Sequence, residues 1–73
     1  MSLRTILEAG YNAERRTART YATLRWTLGG HWELRVYDRS DTALLRSMAF
    51  DTIDEIVSSI HSGDWRRSQY KHA

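Results

Sequence analysis

"TLRWTLGGHWELRVYDRS" (23–40) decides the fold, because its register sorts core residues from surface residues. It reads as two alternating strands around a Gly-Gly turn. With only Gly29 and Gly30 in the loop, Trp26 would face Glu33 and Arg25 would face Leu34, so each face would mix apolar and charged groups. A three-residue loop, Leu28-Gly29-Gly30, resolves this, with Gly30 in the left-handed conformation such loops require. The pairs then become Trp26–Trp32, Leu24–Leu34 and Ala22–Val36 on one face. On the other they are Thr27–His31, Arg25–Glu33, Thr23–Arg35 and Tyr21–Tyr37. The first face is uniformly apolar and reads as core; on the second, Arg25 meets an opposite charge.

Outward from this hairpin, "DRSD" (38–41) is a turn signal, followed by a third strand at about 42–50. Leu44, Met48 and Phe50 share one parity, and Arg46 is the misfit among them. A bulge, or an arginine stem that packs while its head reaches water, accommodates it. Residues 52–62 predict a helix, with Asp51 as N-cap, Asp54 in the first turn, an apolar stripe at Ile53, Ile56, Val57 and Ile60, and Gly63 as the stop. The N-terminal segment 2–19 predicts another helix: Ser2 caps it, and Leu3, Ile6, Leu7 and Tyr11 recur at helical spacing. Gly10 is its weak point, and "AGYN" (9–12) is a candidate break. "ERRTART" (14–20) reads as a solvated helix face or, alternatively, as a phosphate or acidic-partner contact through Arg15, Arg16 and Arg19.

The expected fold is therefore α+β: an N-terminal helix, a three-stranded antiparallel sheet (about 20–28, 31–38 and 42–50), and helix 52–62 packed on one sheet face. Residues 1–64 are expected to form a single small domain, and 65–73 a frayed basic tail, with Trp65 folding back over the helix end.

The 73 residues contain no cysteine, so neither disulfides nor thiolate metal sites are available to the chain. No stretch reads as a signal peptide or membrane span, and a cytoplasmic location is expected. The net charge of +2 is small but polarised. Residues 1–37 carry six Arg against three Glu, residues 38–64 two Arg against six acids, and residues 65–73 two Arg and one Lys. Such a layout suits oriented docking or self-association as well as phosphate binding.

Catalytic patterns are weak. His31, His61 and His72 lack metal-ligand spacing, Ser58, Ser59 and Ser62 lack a nucleophile-elbow context, and Gly29-Gly30 belongs to a hairpin rather than a phosphate loop. Neither an enzyme nor a cofactor is expected. The residues singled out for partner binding are Tyr21, Arg25, Arg35 and Tyr37 on the sheet face, with Arg15, Arg16 and Arg19 from the basic segment.

"HWELRVYD…LLRSMAFDTIDEIVSSI" resembles the arm-type DNA-binding domains of phage tyrosine recombinases at Trp32, Val36, Tyr37, Asp38, Arg46, Phe50, Thr52 and Glu55. Some small phage proteins, anti-CRISPR proteins among them, show a similar sheet followed by a Phe-Asp-Ser/Thr-x-Glu helix. The recombinase resemblance implies base or phosphate contacts by Arg25 and Arg35; the acidic helix start departs from that pattern. The helix–three strands–helix order also looks like a double-stranded RNA-binding domain, but "DTIDE" (51–55) stands where that family needs lysines. The leading expectation is a non-enzymatic phage or mobile-element accessory or inhibitor protein that docks on a host protein, in the host cytoplasm if phage-encoded. A DNA-binding module on the same face is the alternative, and a structural homodimer the third.

Overall fold

Five antiparallel strands and two short helices make up the computed structural model, which describes residues 2–71. In chain order they are α1 (Leu3–Glu8), β1 (Tyr11–Arg16), β2 (Thr20–Trp26), β3 (Trp32–Asp38), β4 (Leu44–Phe50), α2 (Ile53–Ser59) and β5 (Arg66–Lys71). The α+β class and the antiparallel sheet are as expected, but the sheet has five strands rather than three, in the order β4-β3-β2-β1-β5.

The central hairpin has the register that keeps its faces separate. Trp26 pairs with Trp32, Leu24 with Leu34, Ala22 with Val36, Arg25 with Glu33, Thr23 with Arg35 and Tyr21 with Tyr37. Two hydrogen bonds close the loop: Thr27 N–H donates to His31 C=O at 2.9 Å, and Gly30 N–H to Thr27 C=O at 3.0 Å. Gly30 has φ +82°, the left-handed conformation that turns the chain back into β3. The Trp26 and Trp32 rings meet edge to face, 5.2 Å between centroids.

The N-terminal half corrects the sequence reading. Helix α1 starts as expected, with Ser2 Oγ accepting from Thr5 N–H at 3.2 Å. It ends after one and a half turns, because Gly10 adopts φ +88° and redirects the chain. The next segment is a strand, not a resumed helix. "YNAERR" (11–16) pairs with β2 through Ala13–Leu24, Glu14–Thr23, Arg15–Ala22 and Arg16–Tyr21. The two-residue loop Ala18-Arg19 joins them, held by Thr17 N–H to Thr20 C=O at 2.9 Å and by a 2.7 Å contact between the two threonine hydroxyls.

The C-terminal segment also departs from expectation. Residues 66–71, expected to fray, pair with the outer edge of β1, although the register slips between Tyr11 and Ala13. Residues 72 and 73, the end of that expected tail, lie outside the described residues. Trp65 folds back as anticipated: it is buried, and its indole N–H donates to His61 C=O at 2.8 Å. Helix α2 is shorter than 52–62, and its N-cap is Thr52 rather than Asp51. Thr52 Oγ1 accepts from Glu55 N–H at 3.2 Å, and the Glu55 carboxylate reaches back to Asp51 N–H at 3.3 Å. It stops at Ile60, whose backbone is already extended, three residues before Gly63.

Both helices cover one sheet face. Leu3, Ile6 and Leu7 from α1 and Ile56 from α2 join Ala13, Ala22, Leu24, Trp32, Leu34, Phe50 and Trp65 in one core. Of the expected α2 stripe only Ile56 is fully enclosed; Ile53 and Ile60 pack at its margin. Arg46 keeps the core-face parity, opposite Val36, and the bulge lies just beyond it, leaving Leu44 opposite Tyr37 on the other face. Thus the bulge relocates Leu44, not Arg46. Leu44 and Leu45 are both more than half exposed there.

This architecture has two consequences for stability. Gly30→Ala forces a side chain into the left-handed region, at a cost of about 1–2 kcal/mol. At Gly29 an added Cβ meets the His31 ring at 3.2 Å and Thr27 Oγ1 at 3.6 Å, so Gly29→Ala asks only a shift of a few tenths of an ångström from a side chain and costs less than the change at Gly30. Thermal unfolding should therefore separate the two variants by roughly 4 °C or more. Ending the chain at Trp65 removes the β1–β5 ladder and should lower unfolding free energy by at least about 1 kcal/mol, the net worth of one backbone hydrogen bond. An unchanged denaturant midpoint would show that β5 contributes nothing.

Candidate functional site

The face of the sheet opposite the helices is uncovered by any described element, since α1 lies with α2 on the core side. The strand registers arrange it in rows. One row runs Arg16–Tyr21–Tyr37–Leu44, the next Arg66–Glu14–Thr23–Arg35–Ser47, and a third Arg25–Glu33–Ala49. Arginine and tyrosine from four strands therefore share one surface with two glutamates.

Five of the seven residues singled out from sequence meet here: Arg16, Tyr21, Arg25, Arg35 and Tyr37. The other two do not. Arg15 has the opposite parity and sits on the helix-bearing face beside Ala22, while Arg19 lies in the exposed β1–β2 loop. These placements reflect strand geometry: a helix would have grouped Arg15, Arg16 and Arg19 on one side, but alternation in β1 sends adjacent arginines to opposite faces. Glu14 escaped the sequence reading for the same reason, although i, i+2 alternation in "NAERR" (12–16) would have grouped it with Arg16.

The side chains form two small networks. In the first, the Tyr21 hydroxyl donates to Glu14 Oε2 at 3.0 Å, and the Arg16 guanidinium stands 5.3 Å from the Tyr21 ring centroid. Burial first, then the hydrogen bond to Glu14 and its negative charge, push the Tyr21 hydroxyl above the ordinary tyrosine range, against the opposing effect of Arg16. In the second, Arg35 Nε lies 2.6 Å from Glu33 Oε1 along the same strand. The Tyr37 side chain and then Glu33 raise the Arg35 guanidinium further above its usual range, so it stays charged at any ordinary pH. Arg25 is exposed.

A hollow lies beside the first network, away from Glu33, Arg35 and Tyr37. This broad depression of about 920 Å³ lies over β1, β2 and β5, lined by Glu14, Arg16, Tyr21, Thr23, Arg25 and Ser68 among others. It presents aromatic surface, guanidinium donors and a carboxylate acceptor on an antiparallel frame. Among the described residues, no three His, Asp or Glu side chains converge as a metal site would require. His31 is engaged at the hairpin, where its Nδ1 lies 3.2 Å from Thr27 Oγ1, and His61 Nδ1 accepts from Gly63 N–H at 3.1 Å. Among the described residues, no helix is long and apolar enough to cross a membrane.

The raised Tyr21 titration has a definite sign. Its stabilising contribution is complete below the unfolded tyrosine value of about 10 and is lost as pH rises through the higher folded value. A spectrophotometric tyrosinate titration should show one late-ionising group that Tyr21→Phe removes and Glu14→Gln brings earlier. Ionisation of all tyrosines together would contradict this.

Comparison with protein-family models, with curated protein sequences and with solved structures returned no significant match.

Proposed function

We propose that this protein is a non-enzymatic binding module that docks on a protein partner through the open sheet face, with Arg16, Tyr21, Arg25, Arg35 and Tyr37 as the contact set. The observation that carries this reading is the mixed charge of the face, in which carboxylates stand among an excess of arginines. Four arginines, Arg16, Arg25, Arg35 and Arg66, are interleaved with Glu14 and Glu33. Two of these arginines are already engaged within the chain, Arg35 by Glu33 and Arg16 by Tyr21. A surface that presents donors and acceptors in alternation suits the mixed charges of a protein surface better than a uniform polyanion. Rigid tyrosines beside arginines supply contact area at low entropic cost.

The phage or mobile-element setting and an inhibitory role rest on the sequence resemblance alone and belong to the proposal on that footing. DNA binding through Arg25 and Arg35 is the second reading, favoured by the exposure of Arg25 on the open face. The two readings differ in salt dependence, because phosphate contacts release counterions and protein contacts of mixed charge do so far less.

The test uses the wild-type chain and an Arg16→Glu/Arg25→Glu variant whose fold is checked by circular dichroism. A partner retained from extracts of the source cells, identified and reconstituted from purified components, should bind the variant at least roughly tenfold more weakly, as loss of a contact hot spot requires. Equal binding by the variant would remove the sheet face from the interface. Labelled duplex DNA titrated across a salt series should show no binding. Micromolar affinity with a steep salt slope would instead establish the second reading. A mass that rises with concentration and is restored to monomer by the same variant would indicate that the face pairs with a second copy.

A further inference from the structure

The helix-bearing face carries a second, unrelated feature at the end away from the Gly30 turn. Across four strands the register aligns Arg15 on β1, Ala22 on β2, Val36 on β3 and Arg46 on β4 in one row. The neighbouring rows of this face, Ala13–Leu24–Leu34–Met48 and Trp26–Trp32–Phe50, belong to or border the helix-covered core. At the Arg15–Arg46 row the cover ends, and a groove of about 250 Å³ remains. Its floor is Ala22, Leu34 and Val36, its walls are Ile60 and Trp65, and an arginine stands at either side. Three strand spacings of about 4.8 Å put the two arginine Cα atoms about 14 Å apart, a span that two long side chains close around a small molecule.

The electrostatics of this groove are one-sided. No carboxylate lines it. Among the described residues neither Arg15 nor Arg46 forms an ion pair, whereas Arg35 on the open face does. The Nε atoms of Arg15 and Arg35 are both shielded from solvent without a well-aligned hydrogen-bond acceptor, but Arg35 has the Glu33 carboxylate at 2.6 Å and Arg15 has no carboxylate beside it. A desolvated guanidinium N–H without an acceptor is costly, and a ligand oxygen is the group that relieves it. The threonine hydroxyls at this end are occupied with each other, Thr17 to Thr20 at 2.7 Å, so the groove's polar character comes from the two guanidiniums.

We propose that this groove is a binding site for a small carboxylate with an apolar body, the carboxylate held between Arg15 and Arg46 and the body lying on Val36, Ile60 and Trp65. Both halves of that chemistry are needed. An inorganic anion would leave the apolar floor and the Trp65 wall unused, and a neutral apolar molecule would leave the Arg15 Nε unsatisfied. The volume admits a single ring or a short alkyl chain. The site is independent of the open sheet face and stands or falls separately from it.

The probe is 3-phenylpropionate, titrated into the full chain and followed by amide proton–nitrogen correlation spectra. Controls are 3-phenylpropionamide, which keeps the body and loses the charge, and inorganic phosphate, which keeps charge alone. The expected result is a saturable shift of the Trp65 indole N–H and of the Ala22, Val36 and Ile60 amides, with both controls at least roughly tenfold weaker, as loss of a charge-assisted hydrogen bond implies. Arg46→Gln and Arg15→Gln should each weaken binding by about the same factor. Arg46 is exposed on the edge strand, so its variant keeps the fold and decides the matter even if Arg15→Gln fails to fold. Three results would overturn the site: equal binding of the amide or of phosphate, undiminished binding by Arg46→Gln, or no saturable shift up to ~10 mM, where even weak small ligands register.

Discussion

The left-handed turn at Gly30 governs the rest of the structure. A turn closed by the Gly30 N–H to Thr27 C=O bond, with Gly30 itself at positive φ, puts three residues in the loop, and three residues place Trp26 opposite Trp32. One residue fewer would set apolar side chains against charged ones along the whole hairpin. The apolar face made by this register is the surface on which α1 and α2 dock, and the same register sends Tyr21, Arg25, Arg35 and Tyr37 to the opposite side. A conformational preference at one backbone position thereby separates the core from the candidate interface.

Strand alternation also sorts the arginines. Ten of the eleven Lys and Arg residues are arginine, and the sheet divides several of them between two environments. On the open face Arg35 is paired with Glu33, and Arg16 shares Tyr21 with Glu14. On the helix-bearing face Arg15 and Arg46 flank an apolar floor without a carboxylate. The first arrangement presents a surface of mixed charge, the feature on which the proposed protein docking rests; the second concentrates positive charge beside hydrophobic side chains, the feature on which the proposed carboxylate site rests. Adjacent residues 15 and 16 serve the two settings because β1 alternates.

Legibility from sequence tracked the strength of the local pattern. Over residues 22–26 and 32–36 apolar and polar residues alternate strictly, and every expected cross-strand pair in the two strands is present. The Ser2 cap, the "DRSD" turn and the helix after Phe50 were also readable, since capping and turn chemistry act within a few residues. Strands β1 and β5 were not. The core face of β1 offers only Tyr11, Ala13 and Arg15, too little apolar side chain to show a period of two, while Leu3, Ile6 and Leu7 immediately before it repeat with helical spacing. β5 is rich in Arg, Lys and Gln, a composition that reads as solvated tail. Both strands are specified mainly by neighbours: β1 by the ladder along β2, and β5 by the edge that β1 then provides.

The sequence by itself determined the hairpin register, the identity of most core residues and the grouping of tyrosine with arginine on one face, because these depend on alternation and on one glycine's freedom at positive φ. Tertiary structure alone decided that 11–16 is a strand, that 66–71 closes the far edge, and that Arg15 aligns with Arg46 across the sheet. Those outcomes depend on hydrogen-bond ladders between segments distant in the chain. A backbone edge accepts a partner strand largely without regard to side-chain pattern, so the local sequence carries little trace of the pairing.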